Sequence, residues 1–383
     1  MSCTFRYALA VGLVLAVTPM LADSAPSRDK LSTAVDGAIR EQMKEQQIPG
    51  VGIAVVRNGR IVEAEGYGLA NIECGTPVTP ATIFEIGSIT KQLTATAIML
   101  LAEEGKLSLD DNITKFFPEA SLTLKAVTIR HLLTHTSGIP DIDGDVEDAS
   151  HAGQGIVDLR REYTEEELVR AYLAQPLKTP PGSKWSYCNV CYSLLGFLIH
   201  RVTGTSYAEF LRERIFAPLG MNATRMLSFA EIIPNRATGY DLINGAWKNT
   251  RRWQSESIFS DAAGGLMMNV LDLAKWDAAL YTERIIKRSS LEAMWKPVPL
   301  DDGIAYPNGI GWFVASAKDH RIVFHTGSGP GFCAAISRYL DDRLTFIVLT
   351  NICHSHSDVL KIIGKVAEIY IPDTRGENPI KDW

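Results

Sequence analysis

The sequence predicts an α+β fold: one antiparallel sheet built from both chain ends, flanked by helices, with a mostly helical lobe inserted between them. Three observations carry this. Strand-like runs cluster near the two ends of the chain. The stretch between them repeats apolar residues at helical spacing. The composition, 46% hydrophobic and 21% charged over 383 residues, is that of a globular chain long enough to bury a sizeable core. Strands and helices segregated along a chain favour α+β over a parallel sheet. The expected division is a discontinuous sheet domain, residues 26-85 plus 284-383, and a helical lobe, residues 86-283.

The start of the chain reads differently. Arg6 precedes an apolar run over residues 7–17, Pro19 breaks it, and Ala22, Asp23, Ser24 and Ala25 follow. Positive, apolar, then small is the order of a secretory signal peptide. Residues 1-25 are expected to be removed and the mature chain to be periplasmic or secreted. The apolar run is too short to span a bilayer comfortably. No other stretch approaches the ~18 apolar residues of a membrane helix, so no stable membrane span is expected after cleavage.

Leu31, Val35, Ile39 and Met43 recur every fourth residue, which predicts a helix over 27–47 with Ser27 as its cap. Residues 51–56 and 61–67 flank Asn58-Gly59 and read as a hairpin with a type I′ turn. Near the other end, residues 310–317, 321–326, 332–339 and 344–350 carry β-branched and aromatic residues parted by short turns. A helix is expected over 358–370. Between the blocks, helical patterns cover 91–104, 129–133, 165–173, 192–202, 207–216 and 270–281, with no strong strand alternation among them. Residues 141–158 are acidic and aperiodic and read as an exposed loop.

The net charge is −6. No basic excess exists to hold a phosphate backbone, so nucleic acid is not an expected partner. Of the six cysteines, Cys3 lies in the signal segment. The other five are Cys74, Cys188, Cys191, Cys333 and Cys353. An odd number in so large a chain does not suggest a disulfide framework. Cys188 and Cys191 have redox- or zinc-like spacing but no second pair, and read as small buried hydrophobes.

Several chemistries lose their signatures. There is no Gly-x-Ser-x-Gly elbow. His131 and His135 stand four apart, but no Glu follows His131, so core or capping roles are expected rather than a metal. His354-Ser-His356 lacks a third ligand and reads as a solvated turn. Gly327-Ser-Gly-Pro-Gly331 joins two strands rather than a strand to a helix, unlike a phosphate cradle. Neither metal nor cofactor is expected.

Ser88-Ile-Thr-Lys91 is the sharper lead. It opens a predicted helix, and positions i and i+3 share a face, so the lysine amine can reach the serine hydroxyl. The helix N-terminus favours charge developing on that oxygen. A serine beside an amine is an activated-nucleophile design. The pattern alone is weak, since Ser27-Arg-Asp-Lys30 repeats it. Tyr187-Cys-Asn189 follows Pro180-Pro-Gly182 and precedes a helix, and Tyr306-Pro-Asn308 repeats that spacing. His325-Thr-Gly327 ends a predicted strand at a glycine-rich turn and occurs once.

Taken in order, these residues give the chain a resemblance to the serine β-lactamase and penicillin-binding-protein superfamily, nearest its class C β-lactamase-like group of D,D-peptidases, D-aminopeptidases and esterases. The likeness includes Phe84-Glu-Ile-Gly87, the run from His131 through Thr136 to Gly138, Pro180-Pro-Gly-Ser183, Asp261-Ala-Ala-Gly-Gly265 and Val348-Leu-Thr-Asn351. It covers residues 31–370. The resemblance implies a β-lactamase/transpeptidase-like fold in which Ser88 attacks a carbonyl and forms an acyl-enzyme. Lys91 and Tyr187 would shuttle its proton, with the identity of the base left open. Asn189, His325, Thr326, Gly327 and Ser328 would meet the substrate. The backbone N–H groups of Ser88 and Ser328 would hold the oxyanion.

The implied partner is a small molecule or peptide with an amide, β-lactam or ester bond, without metal or cofactor. The implied activities are a D-amino-acid peptidase, a β-lactamase or a carboxylesterase; a penicillin-binding sensor that acylates but turns over slowly is the alternative. His325 departs from the lysine of the superfamily pattern. With an ordinary pKa of about 6.5 it is mostly uncharged near neutrality, which implies weaker selection for carboxylate-bearing β-lactams. Cys188 stands where a small residue is usual, and a packing role is expected for it.

Overall fold

A computed structural model describes residues 28–141, 156–252, 254–353 and 357–376. The expected signal segment, the expected Ser27 cap and the expected 354–356 turn lie outside the described residues, as does most of the expected 141–158 loop.

In chain order the main elements are α1 (Arg28–Glu45), β1 (Gly50–Arg57), β2 (Arg60–Asn71), β3 (Thr76–Pro77), α2 (Thr90–Glu103), α3 (Ile129–Leu133), α4 (Glu165–Leu173), α5 (Asn189–Thr203) and α6 (Val270–Ala279). Then follow β4 (Phe313–Ala317), β5 (His320–Gly329), β6 (Phe332–Tyr339), β7 (Leu344–Thr350) and α7 (Val359–Tyr370). The strands form one sheet in the order β4-β5-β6-β7-β1-β2-β3. Every neighbouring pair is antiparallel.

The two chain ends meet at one seam. β1 pairs with β7 from Val51↔Thr350 to Arg57↔Leu344. Both strands are nearly continuous apolar runs, so neither face can be left to water. Val51, Ile53 and Val55 pack with Val35 and Ile39 of α1 and Ile362 and Val366 of α7. Ala54 and Val56 turn the other way, into the core shared with Val270 and Leu273 of α6 and with Leu93 of α2, Leu132 of α3 and Leu194 of α5. Asn58 and Gly59 both have positive φ, 54° and 73°, as the expected I′ turn requires.

The structure corrects three expectations. First, strands do interrupt the helical stretch. Tyr240–Ile243 pairs with Ala246–Asn249 around Asn244-Gly245, a second Asn-Gly turn with positive φ at both residues. Leu266–Met268 joins Phe84–Glu85 to Arg225–Met226. These arms are too short to show periodicity, and the partners of Leu266–Met268 lie far from it in sequence.

Second, the cysteines do pair. Disulfides link Cys188 to Cys191 and Cys333 to Cys353, leaving Cys74 free and exposed. An odd count excludes only complete pairing. The sheet sets Cys333 opposite Thr350, close to Cys353, which no residue count can reveal.

Third, Asp141 is not exposed but half-buried, and Val157 at the other end of the same expected loop is buried. Among the described residues no helix is long and apolar enough to cross a membrane.

Candidate active site

Ser88 lies in a single 3₁₀ turn, Gly87–Ile89, that runs directly into α2. Just upstream, Phe84–Glu85 pairs with Leu266–Met268, and Ile86 donates its N–H to Leu266 O. The serine is therefore held between a strand and a helix start rather than in a free loop. β5 passes beside it closely enough to exclude side chains. A β-carbon on Gly327 would lie 1.9 Å from Ile86 O and 3.1 Å from Ser88 N. One on Gly87, whose φ is +49°, would lie 2.7 Å from both Ser328 N and Ser328 O. The two glycines thus bring the amides of Ser88 and Ser328 together, the pair expected to hold an oxyanion. Ser328 remains exposed on β5.

Lys91, the second residue of α2 and about one turn on from Ser88, is fully buried. Its amine approaches three oxygens: Ser88 Oγ at 3.1 Å, Asn189 Oδ1 at 2.7 Å and Ala263 O at 2.8 Å. An ammonium has three N–H donors, one for each oxygen. A neutral amine has two donors and a lone pair. Asn189 and Ala263 offer only acceptors here, so the lone pair of the neutral form faces Ser88 Oγ. The geometry suits the lysine to receive the serine proton.

Two half-buried carboxylates hold this cradle. Asp141 accepts Asn189 Nδ2 at 3.0 Å and Val190 N at 2.9 Å. With its Nδ2 engaged there, the Asn189 amide presents Oδ1 to Lys91. Asp261 accepts the N–H groups of Ala263 and Gly264 at 2.9 and 3.0 Å and the hydroxyl of Ser193, which fixes the Ala263 carbonyl. Burial raises the pKa of both carboxyls, against the lowering pull of these hydrogen bonds and of Lys91.

Tyr187 and Asn189 flank the N-terminus of α5. The Tyr187 ring covers the Lys91 amine at 4.8 Å from its centroid, and Tyr192 covers it at 5.4 Å. His135 stacks on Tyr187 at 4.6 Å between ring centroids. Its Nδ1 accepts the Cys188 N–H at 3.1 Å, so the neutral ring carries its proton on Nε2. His135 is buried, has φ +59°, and is held well below the ordinary histidine pKa by desolvation and then by Lys91 and His325. A non-glycine residue in this conformation is uncommon and marks a position fixed by its surroundings. His131 acts as a cap: its Nδ1 accepts Thr128 N and its N–H is accepted by Thr128 Oγ1. Among the described residues no group of three metal-ligating side chains occurs.

His325 sits on β5 with only 2% of its surface exposed. It lies 5.0 Å from Phe313 and 6.5 Å from Tyr187, ring to ring. Its Nδ1 lies 2.6 Å from Thr326 O. Desolvation, then the Lys91 charge, lowers its pKa to about 3. It is thus neutral for a stronger reason than the ordinary histidine pKa. Thr326 is half-buried next to it. Tyr306, in the other Tyr-x-Asn sequence, stacks on Trp185 at 4.2 Å, and Trp185 in turn lies 6.3 Å from Tyr187, ring to ring.

The fold therefore brings Ser88, Lys91, Tyr187, Asn189 and His325 to one place, next to the Gly327–Ser328 backbone. Sequence reasoning missed Asp141, which looked like loop, and the pairing of His135 with Tyr187. The acidic stretch after Pro140 offered no periodic signal. His135 lay in a recognised run, but nothing in its spacing pointed to Tyr187.

Comparison with known proteins agrees with this architecture. The family model described as Beta-lactamase matches residues 35–370. Penicillin-binding protein 4* of Bacillus subtilis is 33% identical over 318 residues, covering 77% of this chain and 68% of the relative. The octameric penicillin-binding protein homologue from Pyrococcus abyssi superposes with a TM-score of 0.74 at 32% identity, over 91% of this chain and 78% of that one. D-amino acid amidase from Ochrobactrum anthropi gives a TM-score of 0.76 at 25% identity, over 90% and 99%. The match over most of the chain, on a fold that gathers the same ordered residues, means that the chain belongs to the β-lactamase family of serine hydrolases.

Proposed function

We propose that this protein is an exported hydrolase that works through an acyl-enzyme on Ser88 and prefers amide or ester substrates without a carboxylate beside the scissile bond. One observation carries the first part: the buried Lys91 amine, 3.1 Å from Ser88 Oγ, with its other two contacts both acceptors. As Oγ bonds to the carbonyl carbon, the hydroxyl proton passes to the Lys91–Tyr187 pair, and the carbonyl π electrons move onto oxygen. The Ser88 and Ser328 amides are the donors proposed to meet that charge. Collapse breaks the bond to the leaving group, which takes a proton back from the Lys91–Tyr187 pair. Water then cleaves the acyl ester by the reverse relay.

The substrate preference rests on His325, which is neutral and buried where a fixed cation would hold a carboxylate. Export rests on the order of residues 1-25.

The test is a substrate panel with mass detection of the adduct: nitrocefin, a p-nitrophenyl ester and a D-Ala-D-Ala peptide. Ser88→Ala should lower turnover by roughly 10⁴-fold or more and abolish the covalent adduct. Persistence of both in that variant removes Ser88 as the nucleophile. A burst without steady turnover in the wild type would instead indicate the slow-turnover sensor.

A further inference from the structure

We propose that the Cys188–Cys191 disulfide is a covalent helix cap that positions Tyr187 and Asn189 for the reaction. This rests on the acyl-enzyme reading above. The chain changes direction at Cys188. That residue is the N-cap of α5, with extended backbone at φ −145° and ψ 102°, and Asn189 is the first helical residue. Tyr187 stands on the extended side and Asn189 on the helical side. Both reach the same amine: Asn189 Oδ1 at 2.7 Å and the Tyr187 ring centroid at 4.8 Å. A small rotation about the Cys188 backbone would separate them.

An ordinary helix fixes this junction with a side-chain oxygen at the N-cap that accepts the N–H three residues on. Here Cys188 Sγ receives the Cys191 N–H at 3.0 Å. Sulfur is a weak acceptor, so the S–S bond between the same two residues supplies the constraint that a hydroxyl would otherwise give.

The bridge has little else to do. It spans a sequence separation of 3, against 20 for Cys333–Cys353. Closing so small a loop restrains the unfolded chain less than closing the larger one. Both sulfurs are buried, with Cys191 Sγ 3.1 Å from Ser137 Oγ, two residues beyond the His135 that stacks on Tyr187. The bridge therefore packs behind the motif, so its effect on the reaction is on position, not on chemistry.

The test compares two double variants of the full chain. Cys188→Ala/Cys191→Ala removes both the bridge and any cap. Cys188→Ser/Cys191→Ala removes the bridge but restores an oxygen cap. With a p-nitrophenyl ester, kcat of the Ala/Ala variant should fall about five- to tenfold with KM within about twofold, and the Ser/Ala variant should recover most of the loss. The rate of single-turnover acylation should follow kcat. Thermal melts and circular dichroism confine the comparison to folded protein. Unchanged kcat in the Ala/Ala variant overturns the proposal, and so does a loss that serine fails to recover. Ser88→Ala in the same series keeps the two ideas apart, because activity in that variant would refute the nucleophile and not the cap.

Discussion

Asn189 Oδ1 accepts a 2.7 Å hydrogen bond from Lys91 Nζ while Asn189 Nδ2 donates to Asp141 Oδ2 at 3.0 Å. An amide has an acceptor end and a donor end. The aspartate decides which end faces the lysine, and so helps decide where the amine's lone pair points when neutral.

Asp141→Ala should therefore harm catalysis without touching the nucleophile. It frees the amide to rotate and leaves two N–H groups unpaired. Losing hydrogen bonds of this kind costs roughly 1–3 kcal/mol, so kcat should drop about 10- to 100-fold, more than KM changes. Steady-state kinetics with the ester, on protein shown to be folded, checks this; kcat within twofold of wild type would mean that Asn189 needs no such anchor.

Gly327→Ala should disable the site by geometry. The added carbon would fall 1.9 Å from Ile86 O, a backbone atom that cannot swing aside. β5 would have to move away from the Ser88 turn, carrying the Ser328 amide with it. The expected result is a stability loss of roughly 1–3 kcal/mol, read from urea unfolding, and acylation slowed beyond detection in the folded fraction.

His325→Lys should change selectivity. A second amine near Lys91 adds positive charge where a substrate carboxylate would lie. The ratio of kcat/KM for a carboxylate-bearing β-lactam over that for a neutral ester should rise about tenfold, a change of ~1.4 kcal/mol. An unchanged ratio refutes the charge argument. The variant should also melt lower, because the new cation is buried beside another of like sign.

His325 further predicts an acid sensitivity. Its folded pKa is about 3, and the unfolded value is about 6.5. Between these pH values the unfolded chain holds the proton and the folded chain does not, so stability rises with pH across that window and is lost as pH falls through it. The contribution approaches roughly 1.4 kcal/mol per pH unit. The carboxyls of Asp261 and Asp277, whose pKa values desolvation raises, act in the opposite sense, so the difference between proteins is the useful measure. Unfolding free energies at pH 7, 5.5 and 4.5 should diverge between wild type and His325→Gln, with the wild type losing more. Parallel curves would contradict the assignment.

Most of the sheet could be read before any coordinates. The strands 332–339 and 344–350 coincide with β6 and β7, because each is an apolar, β-branched run closed by a turn. α1, α2 and α5 match their apolar faces to within a few residues. The short strands 240–243 and 266–268 could not be read, since three or four residues carry no period and the partners of 266–268 lie far along the chain. The Asn244-Gly245 turn was visible but lacked long flanking arms.

At the site, the sequence by itself determined the chemical kinds present: a hydroxyl and an amine one helical turn apart, a phenol and an amide flanking a helix start, and a histidine in place of a lysine. Local rules of helix spacing and turn geometry are enough for that. Tertiary structure decided everything that depends on residues distant in the chain. It set Asp141 behind Asn189, stacked His135 on Tyr187, brought Cys333 to Cys353, and removed His325 from water. Burial and orientation arise only when separate segments pack. A side chain's charge state and hydrogen-bond partners are consequences of that packing, not of its neighbours in sequence.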